Sequence, residues 1–284
     1  MSNFKMPVPG YELVKKIGSG AQGTVWKAIR EKDREVVALK ILSRRTDNAM
    51  NAATSEVAKL KTLSDPECHP NIVCYHGVVI DNDKLKAYVD MEYIEGDDLD
   101  DYAKKLRETD EYDKLYRHLL LITKDLIKGL IYVHEKKILH NDIKPSNIRI
   151  DPNLTPKFVD FGIACNTHDE CRLGSSKAPC CHGFEGTPGF ASPEMYDTST
   201  RYPASDVWSL GMTLYDSATG SYPYNFRDKN PKLREIFQNV KDVDPKRLNT
   251  TNLLLNEIVN RALIRDPAER ITTQEINDML KDYK

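Results

Sequence analysis

No apolar run in the 284-residue chain approaches the roughly 20 residues that span a bilayer. This excludes a membrane-inserted helical protein. The first residues, MSNFKMPVPG, lack the apolar core of a secretory signal, so a soluble intracellular, cytoplasmic protein is the expectation. An excess of one charge is also missing: 41 Lys and Arg stand against 43 Asp and Glu, for a formal net charge of -2. That balance gives no support to nucleic-acid or membrane-surface binding. There is no internal repeat, low-complexity tract or long linker. Cysteine is sparse and uneven. Cys68 and Cys74 lie apart, while Cys165, Cys171, Cys180 and Cys181 crowd one segment. In a reducing compartment these six read as thiols or metal ligands rather than structural disulfides.

What is present is enough apolar material, 40% of residues, for a well-packed core in one domain or two tightly joined lobes. From Tyr11 to about Val89 the stretches ELVKKIG, GTVWKAI and EVVALKIL have the β-branched, alternating character of strands. Asp47 to Leu63 instead places Ala52, Ala53, Val57, Leu60 and Leu63 at helical spacings. VVI before Asp81-Asn82-Asp83 and KAYVDMEY after it read as a hairpin. Beyond Gly96 helical patterns dominate, at Leu115–Val133, Asp206–Ala218, Lys232–Val240, Leu253–Leu263 and Thr273–Leu280. The expected architecture is two lobes with a ligand cleft between them and a hinge near Ile94-Glu95-Gly96.

Three stretches carry chemistry. Ile138 to Gly162 sets His140, Asp142, Lys144, Asn147 and Asp160 among short apolar runs, with Ile148/Ile150 and Phe158/Val159 as two short strands joined by Asp151-Pro152-Asn153. Such a unit can turn carboxyl and amide oxygens towards one point, as a proton acceptor beside a hard cation requires, or it is a polar surface loop. Ile17-Gly18-Ser19-Gly20-Ala21-Gln22-Gly23-Thr24-Val25 is a G-x-G-x-x-G run followed by a strand, not by the helix of a dinucleotide-binding fingerprint. Glycines at a strand–turn–strand let backbone N–H groups approach phosphate oxygens. Lys40 is a cation in the apolar strand Val37-Ala38-Leu39-Lys40, so it needs a partner, and Glu56 on the following helix is the leading candidate.

The ordered set GSGAQG, VALK, Glu56, HNDIKPSN, DFG and SPE strongly resembles the eukaryotic-type protein kinases over essentially the whole chain. The resemblance implies an α+β, bilobal protein-kinase-like fold, with a small β-rich N-lobe carrying one main helix and a larger, mainly helical C-lobe. The expected organisation is a short arm over 1–10 and a catalytic domain over 11–284, with N-lobe about 11–93, hinge about 92–96 and C-lobe about 97–284. It implies ATP and Mg²⁺ as cofactors and a protein substrate with a Ser/Thr acceptor. Gly18–Gly23, with Ser19, Gly20, Ala21 and Gln22, would cover the phosphates. Lys40 would contact the α- and β-phosphates and pair with Glu56. Ile17, Val25 and Ala38 would enclose adenine, Glu92 and Ile94 after Met91 would offer it backbone groups, and Asp98 would lie near the ribose. Asp142 would accept the hydroxyl proton, Lys144 would stabilise the moving charge, and Asn147 and Asp160 would hold Mg²⁺. Gly186 to Glu194 would seat the acceptor, Asp206 would bond the catalytic-loop backbone, and Arg270 would pair with Glu194. Lys144-Pro145-Ser146-Asn147 and Thr187 are similar to serine/threonine kinases, with a dual-specificity enzyme as a variant that phosphorylates Tyr residues such as Tyr196. The acidic Asp97, Asp98, Asp100 and Asp101 read either as a preference for a basic residue upstream of the acceptor or as a solvated helix start. The alternative to catalysis is a pseudokinase serving as a nucleotide- or protein-binding module, but Lys40, Asp142, Asn147, Asp160 and the three loop glycines are all present.

Three positions depart from the family pattern. Asn141 stands where most members have the Arg that meets an activation-loop phosphate, which implies a constitutively active enzyme or one controlled in another way. Arg149 occupies a place that is usually apolar beneath adenine; it either stacks on the ring or swings to solvent. Between Gly162 and Gly186, Cys165, His168, Cys171, Cys180, Cys181 and His182 offer four N/S ligands for a structural Zn²⁺, although adjacent Cys180 and Cys181 are awkward for one metal. Free thiols in a mobile loop or a redox-sensitive pair are the other readings of this segment, where Thr167, Ser175 and Ser176 are candidate phosphosites.

Overall fold

The alternating residues of the N-terminal part build an antiparallel five-stranded sheet in a computed structural model that describes residues 8–20, 23–43, 45–183, 185–225 and 232–284. Its strands are β1 (Tyr11–Gly20), β2 (Gly23–Arg30), β3 (Val36–Ser43), β4 (Tyr75–Asp81) and β5 (Lys86–Glu92), in the order β1-β2-β3-β5-β4. The chain divides into two compact units, Met1–Glu95 and Gly96–Lys284. In the first, β3 is paired on both sides and buries every residue from Val37 to Leu42, which is why it reads as a continuous apolar run. Val37, Leu39 and Ile41 pack with Val8, Ala28 and Tyr88 as one core cluster. A polar anchor ties the sheet together. The buried Asp90 carboxylate accepts from Tyr11 Oη at 2.7 Å and from Arg30 Nη1 at 2.9 Å, and lies 3.2 Å from His76 Nδ1. Burial alone would raise its pKa, but these hydrogen bonds hold it below the usual carboxylate range.

Helix α1 (Asp47–Leu63) begins where Thr46 Oγ1 accepts from Ala49 N at 3.2 Å. Asp47 at its start and Lys61 at its end both suit the helix dipole. Its buried residues are Ala53, Glu56, Lys59, Leu60 and Leu63; Ala53, Glu56, Leu60 and Leu63 recur at spacings of three and four, so Glu56 sits within the apolar stripe, with buried Lys59 beside it.

The second unit is mainly helical. It contains β6 (Asp97–Asp98), α2 (Leu99–Glu108), α3 (Tyr112–Glu135), β7 (Ile138–Leu139), β8 (Ile148–Ile150), β9 (Pro156–Phe158), β10 (Cys165–Asn166), β11 (Asp169–Leu173), β12 (Ser176–His182), α4 (Pro193–Thr198), β13 (Thr200–Arg201), α5 (Pro203–Thr219), α6 (Leu233–Asp242), α7 (Leu253–Ala262) and α8 (Thr273–Leu280). Leu115, Leu119, Ile122, Leu126, Leu130 and Val133 of α3 are wholly buried, as the spacing predicts. Helix α5 is buried almost throughout, with Trp208 fully enclosed. Helix α2 was legible only as a solvated start; Asp98 caps it, accepting from Asp101 N at 2.9 Å. Gly96 cannot be replaced there. Its φ is +121°, and a Cβ would lie 2.1 Å from Ile150 O.

All six cysteines pair, as Cys68–Cys74, Cys165–Cys181 and Cys171–Cys180. This corrects the expectation of thiols or zinc ligands. Cys180 and Cys181 are neighbours in a strand and face opposite sides, so each finds a different partner and they do not converge on one metal. Cys171 Sγ, Cys180 Sγ and a His182 ring nitrogen do lie within 4.8 Å of one another, but the two sulphurs are bonded to each other and offer no thiolate. The segment expected as a long loop is the β11–β12 hairpin, turned at Gly174-Ser175. Among the described residues no helix is long and apolar enough to cross a membrane.

Glu194 and Arg270 form a buried bidentate pair, Nη1 to Oε1 at 2.9 Å and Nη2 to Oε2 at 3.0 Å, with Ser205 Oγ donating to the same carboxylate. Arg270→Met strands the carboxylate in a site it cannot leave. The expected cost is about 3–5 kcal/mol, read as a drop in Tm of roughly 10 °C. A second carboxylate is less well served. Burial and the nearby Asp100 charge push the Asp216 carboxyl up to about 6, with Arg107 offsetting part of this. A raised acid binds its proton more tightly when folded, so its contribution is favourable at low pH and is lost as pH rises from about 4 to 6. Asp216→Asn should therefore stabilise the protein at pH 7.5 by about 1–3 kcal/mol and leave stability unchanged near pH 4. Thermal melts at the two pH values check this.

Candidate active site

In the first unit a cation sits inside the sheet. Lys40 is in the interior strand β3, opposite Val25 of β2 and Val89 of β5, and is 5% exposed. Its Nζ donates to Glu56 Oε1 at 2.5 Å, and Glu56 is 2% exposed on the inner face of α1. Burial of two such charges is costly without this pairing, so the ion pair fixes Lys40 and Glu56 against each other. The glycine run ends β1 and starts β2, with Gly18 opposite Val25, Ser19 opposite Thr24 and Gly20 opposite Gly23. Ala21 and Gln22 lie outside the described residues. Gly23 has φ +152°, and a Cβ on it would meet Ile41 O at 2.3 Å, so the close approach of β3 requires glycine. Ile17 is exposed, whereas Ala38 and Met91 are buried on paired positions of β3 and β5. Glu92 is fixed at both ends, its side chain accepting from Cys74 N at 2.8 Å and its backbone N–H donating to Cys74 O at 2.9 Å. Ile94 follows β5 in irregular backbone.

In the second unit the loop that starts at His140 hangs from one buried carboxylate. Asp206, 1% exposed near the start of α5, accepts from His140 N at 2.9 Å and Asn141 N at 2.8 Å. It also lies 2.9 Å from His134 Nε2. Burial opposes the charge, but the hydrogen bond from His134 and those from the loop backbone hold the acid below its usual pKa. His140 is fully buried against Phe158 and Phe161, with ring centroids 5.3 and 4.7 Å away, and burial pushes its pKa down.

From this anchor four side chains converge. Asp142 Oδ2 accepts from Lys144 Nζ at 2.8 Å and from Asn147 Nδ2 at 2.8 Å. Asp142 Oδ1 accepts from Thr187 Oγ1 at 2.5 Å, and Lys144 Nζ also donates to Thr187 Oγ1 at 2.7 Å. Asn147 Nδ2 donates in addition to Asp142 O at 2.9 Å. The amide nitrogen thus gives its hydrogen bonds to Asp142, and the amide oxygen is an acceptor of the kind a hard cation takes. Val159 N donates to Asn147 O at 3.0 Å, joining the β9 end to the Pro145–Asn147 turn. Asp160 follows at φ +66°, its Oδ1 accepting from Gly162 N at 3.3 Å. Amide and carboxylate oxygens are the donor set of a hard cation.

The departures resolve differently. Arg149, paired with Asp98 across β6–β8, donates from Nη2 to Gly96 O, a backbone contact in its own unit. Asn141 adopts φ +65°, a region Asn enters readily. Its Nδ2 donates to Ile163 O at 3.1 Å and towards Cys165 Sγ at 3.1 Å. Thr167 Oγ1 donates to Lys137 O at 3.2 Å. Sequence reasoning missed two features: His134 supporting Asp206, and the ion pair of buried Arg201 with Glu185 at 3.3 Å. The first had no signal beyond a histidine late in a helix. The second was visible only as a lone acid in a segment otherwise rich in Cys and Gly.

Comparison with known proteins agrees with this geometry. The protein kinase domain model matches residues 11–280. Mitogen-activated protein kinase kinase 2 of Arabidopsis thaliana is 28% identical over 93% of this chain and 70% of its own length. A probable serine/threonine-protein kinase of Dictyostelium discoideum is 33% identical over 94% of the chain and 50% of its own length. The SNF1-related protein kinase catalytic subunit alpha KIN12 of Arabidopsis thaliana is 30% identical, with 95% and 50% covered. With the family model spanning nearly the whole chain and these motifs folded as described, the chain belongs to the protein kinase family.

Proposed function

We propose that this chain is a serine/threonine protein kinase that transfers the γ-phosphoryl group of ATP to protein hydroxyls with the help of Mg²⁺, its catalytic domain spanning residues 11–284. The observation that carries this reading is the convergence of Lys144, Asn147 and Thr187 on the Asp142 carboxylate. Asp142 takes the proton of the acceptor hydroxyl. Its two oxygens are held by different donors, so the carboxylate is oriented before substrate arrives. Lys144 touches both Asp142 and Thr187 and neutralises charge on the transferred group. Lys40, kept ionised by Glu56, holds the α- and β-phosphates, and the Gly18–Gly23 backbone covers them. Ile17, Val25 and Ala38 enclose adenine, the backbone of Met91, Glu92 and Ile94 binds its edge, and Asp98 binds the ribose. Asn147 and Asp160 would hold Mg²⁺, which supplies charge neutralisation on the phosphate oxygens.

Thr187 bridging Asp142 and Lys144 favours Ser/Thr over Tyr acceptors, since it belongs to the segment that seats the acceptor. The raised Asp216 carboxyl beside Asp100 supports a basic residue on the amino-terminal side of the acceptor: a cation there would relieve the mutual repulsion. A positional peptide library with labelled ATP tests the whole reading. Transfer to Ser/Thr peptides should fall about 10²–10⁴-fold in Asp142→Asn, while Mg-ATP still raises the melting temperature. Basic residues should be enriched upstream of the acceptor. Nucleotide binding without Asp142-dependent transfer would instead establish a pseudokinase.

A further inference from the structure

Two short ladders bracket the catalytic loop. β7 and β10 pair only Leu139 with Cys165 and Ile138 with Asn166, immediately before His140. β12 and β13 pair only Cys181 with Arg201 and His182 with Thr200, just before the Gly186–Glu194 segment. Ladders of two residue pairs are too short to persist unaided. Cys165–Cys181 joins the two covalently, and Cys171–Cys180 closes the hairpin that links them in sequence.

The side chains around this bridge lead to Asp142. Asn141 Nδ2 meets both Ile163 O and Cys165 Sγ, and a Cβ on Gly186 would lie 3.3 Å from Asn141 O. Gly186 therefore rests against the residue that precedes Asp142, and its successor Thr187 donates to Asp142. Downstream of Cys181, Arg201 donates from Nη2 to His182 O at 2.6 Å and reaches Glu185 at 3.3 Å. The chain from Cys181 to Thr187 is thus pinned at Cys181, His182, Glu185 and Thr187. Residues 177–186, KAPCCHGFEG, contain no Ser, Thr or Tyr; the nearest upstream hydroxyls, Ser175 and Ser176, lie at the turn of the β11–β12 hairpin. Asn141 has no cationic group to receive a phosphate.

Resting on the kinase reading above, we propose that the Cys165–Cys181 disulfide is the activating modification of this enzyme. It orders the substrate-seating segment in place of a phosphate–arginine pair. Oxidised protein is the active form, and a small dithiol switches it off. Cys165 is a partly exposed residue and Cys181 a buried one, so a dithiol sulphur bonds to Cys165 Sγ and the Cys181 thiolate leaves and takes a proton. The second dithiol sulphur then displaces Cys165, closing a cyclic disulfide on the reductant. Two electrons and two protons pass to the protein.

The test uses the intact chain equilibrated in dithiothreitol buffers of defined reduced-to-oxidised ratio. Alkylation and mass spectrometry assign each bridge, and metal analysis runs in parallel. Ser/Thr peptide phosphorylation and limited proteolysis across 166–186 are followed in the same samples. The expected result is a fall in peptide kcat/KM of at least tenfold on reduction, new cleavage within 166–186, and an unchanged Mg-ATP melting shift. The double variant C165S/C181S should show the reduced-state rate in every buffer. C171S/C180S should keep the dependence on buffer ratio. Equal rates in both states, or stoichiometric zinc bound by protein whose six thiols are free, would overturn the proposal while leaving the kinase reading intact. Absence of Asp142-dependent transfer in either state would overturn the kinase reading and the proposal with it.

Discussion

The second unit depends on one fully buried carboxylate. Asp206 occupies a site where an isolated charge could not remain ionised, and it stays charged because the His140 and Asn141 backbone N–H groups and His134 point at it. The arrangement works in both directions. The loop satisfies the buried acid, and the acid fixes the loop in an irregular path that includes a left-handed residue at Asn141. A helix as rigid and buried as α5 is a sound base for that anchor, because its position is set by packing around Trp208 and its neighbours. Asp142 inherits its placement from the two residues before it.

The same logic recurs wherever this chain buries charge. Lys40 with Glu56, Asp90 with Arg30 and Tyr11, and Glu194 with Arg270 each set an ionised group among apolar neighbours and meet it with direct hydrogen bonds. Such pairs add little net stability over apolar packing, but breaking one is costly, so they fix register and position. Asp216 is the contrasting case. Burial first, and then the neighbouring Asp100 charge, raise its pKa, so its charged form is not matched by partners as the others are.

Much of this was legible in the sequence because the signals were local. A lysine in an otherwise apolar strand and a glutamate on an amphipathic helix predicted each other, and period-two and period-3.6 patterns gave β1 to β5, α1, α3 and α5 to α8. The glycine run was separable from a dinucleotide fingerprint by the strand that follows it. Long-range pairings without a periodic signature were not legible. Six cysteines allow fifteen pairings, and only the alternation of Cys180 and Cys181 across a strand, which needs the β11–β12 hairpin, selects among them. Arg149 could not be placed from sequence because its partner, the Gly96 carbonyl, is backbone and lies 53 residues away. Arg201 and Glu185 met only once β13 had paired with β12.

On the proposed function, the Asp206 anchor preorganises the transfer chemistry before substrate arrives. The most direct measurement is kcat for Ser/Thr peptide phosphorylation in Asp206→Asn, whose fold is checked by near-UV circular dichroism. The amide is isosteric but uncharged, and it replaces one accepting oxygen with a donor. Loss of the Asp142 placement predicts a fall in kcat of about 10²-fold. An Asp206→Asn protein with wild-type kcat would contradict the account.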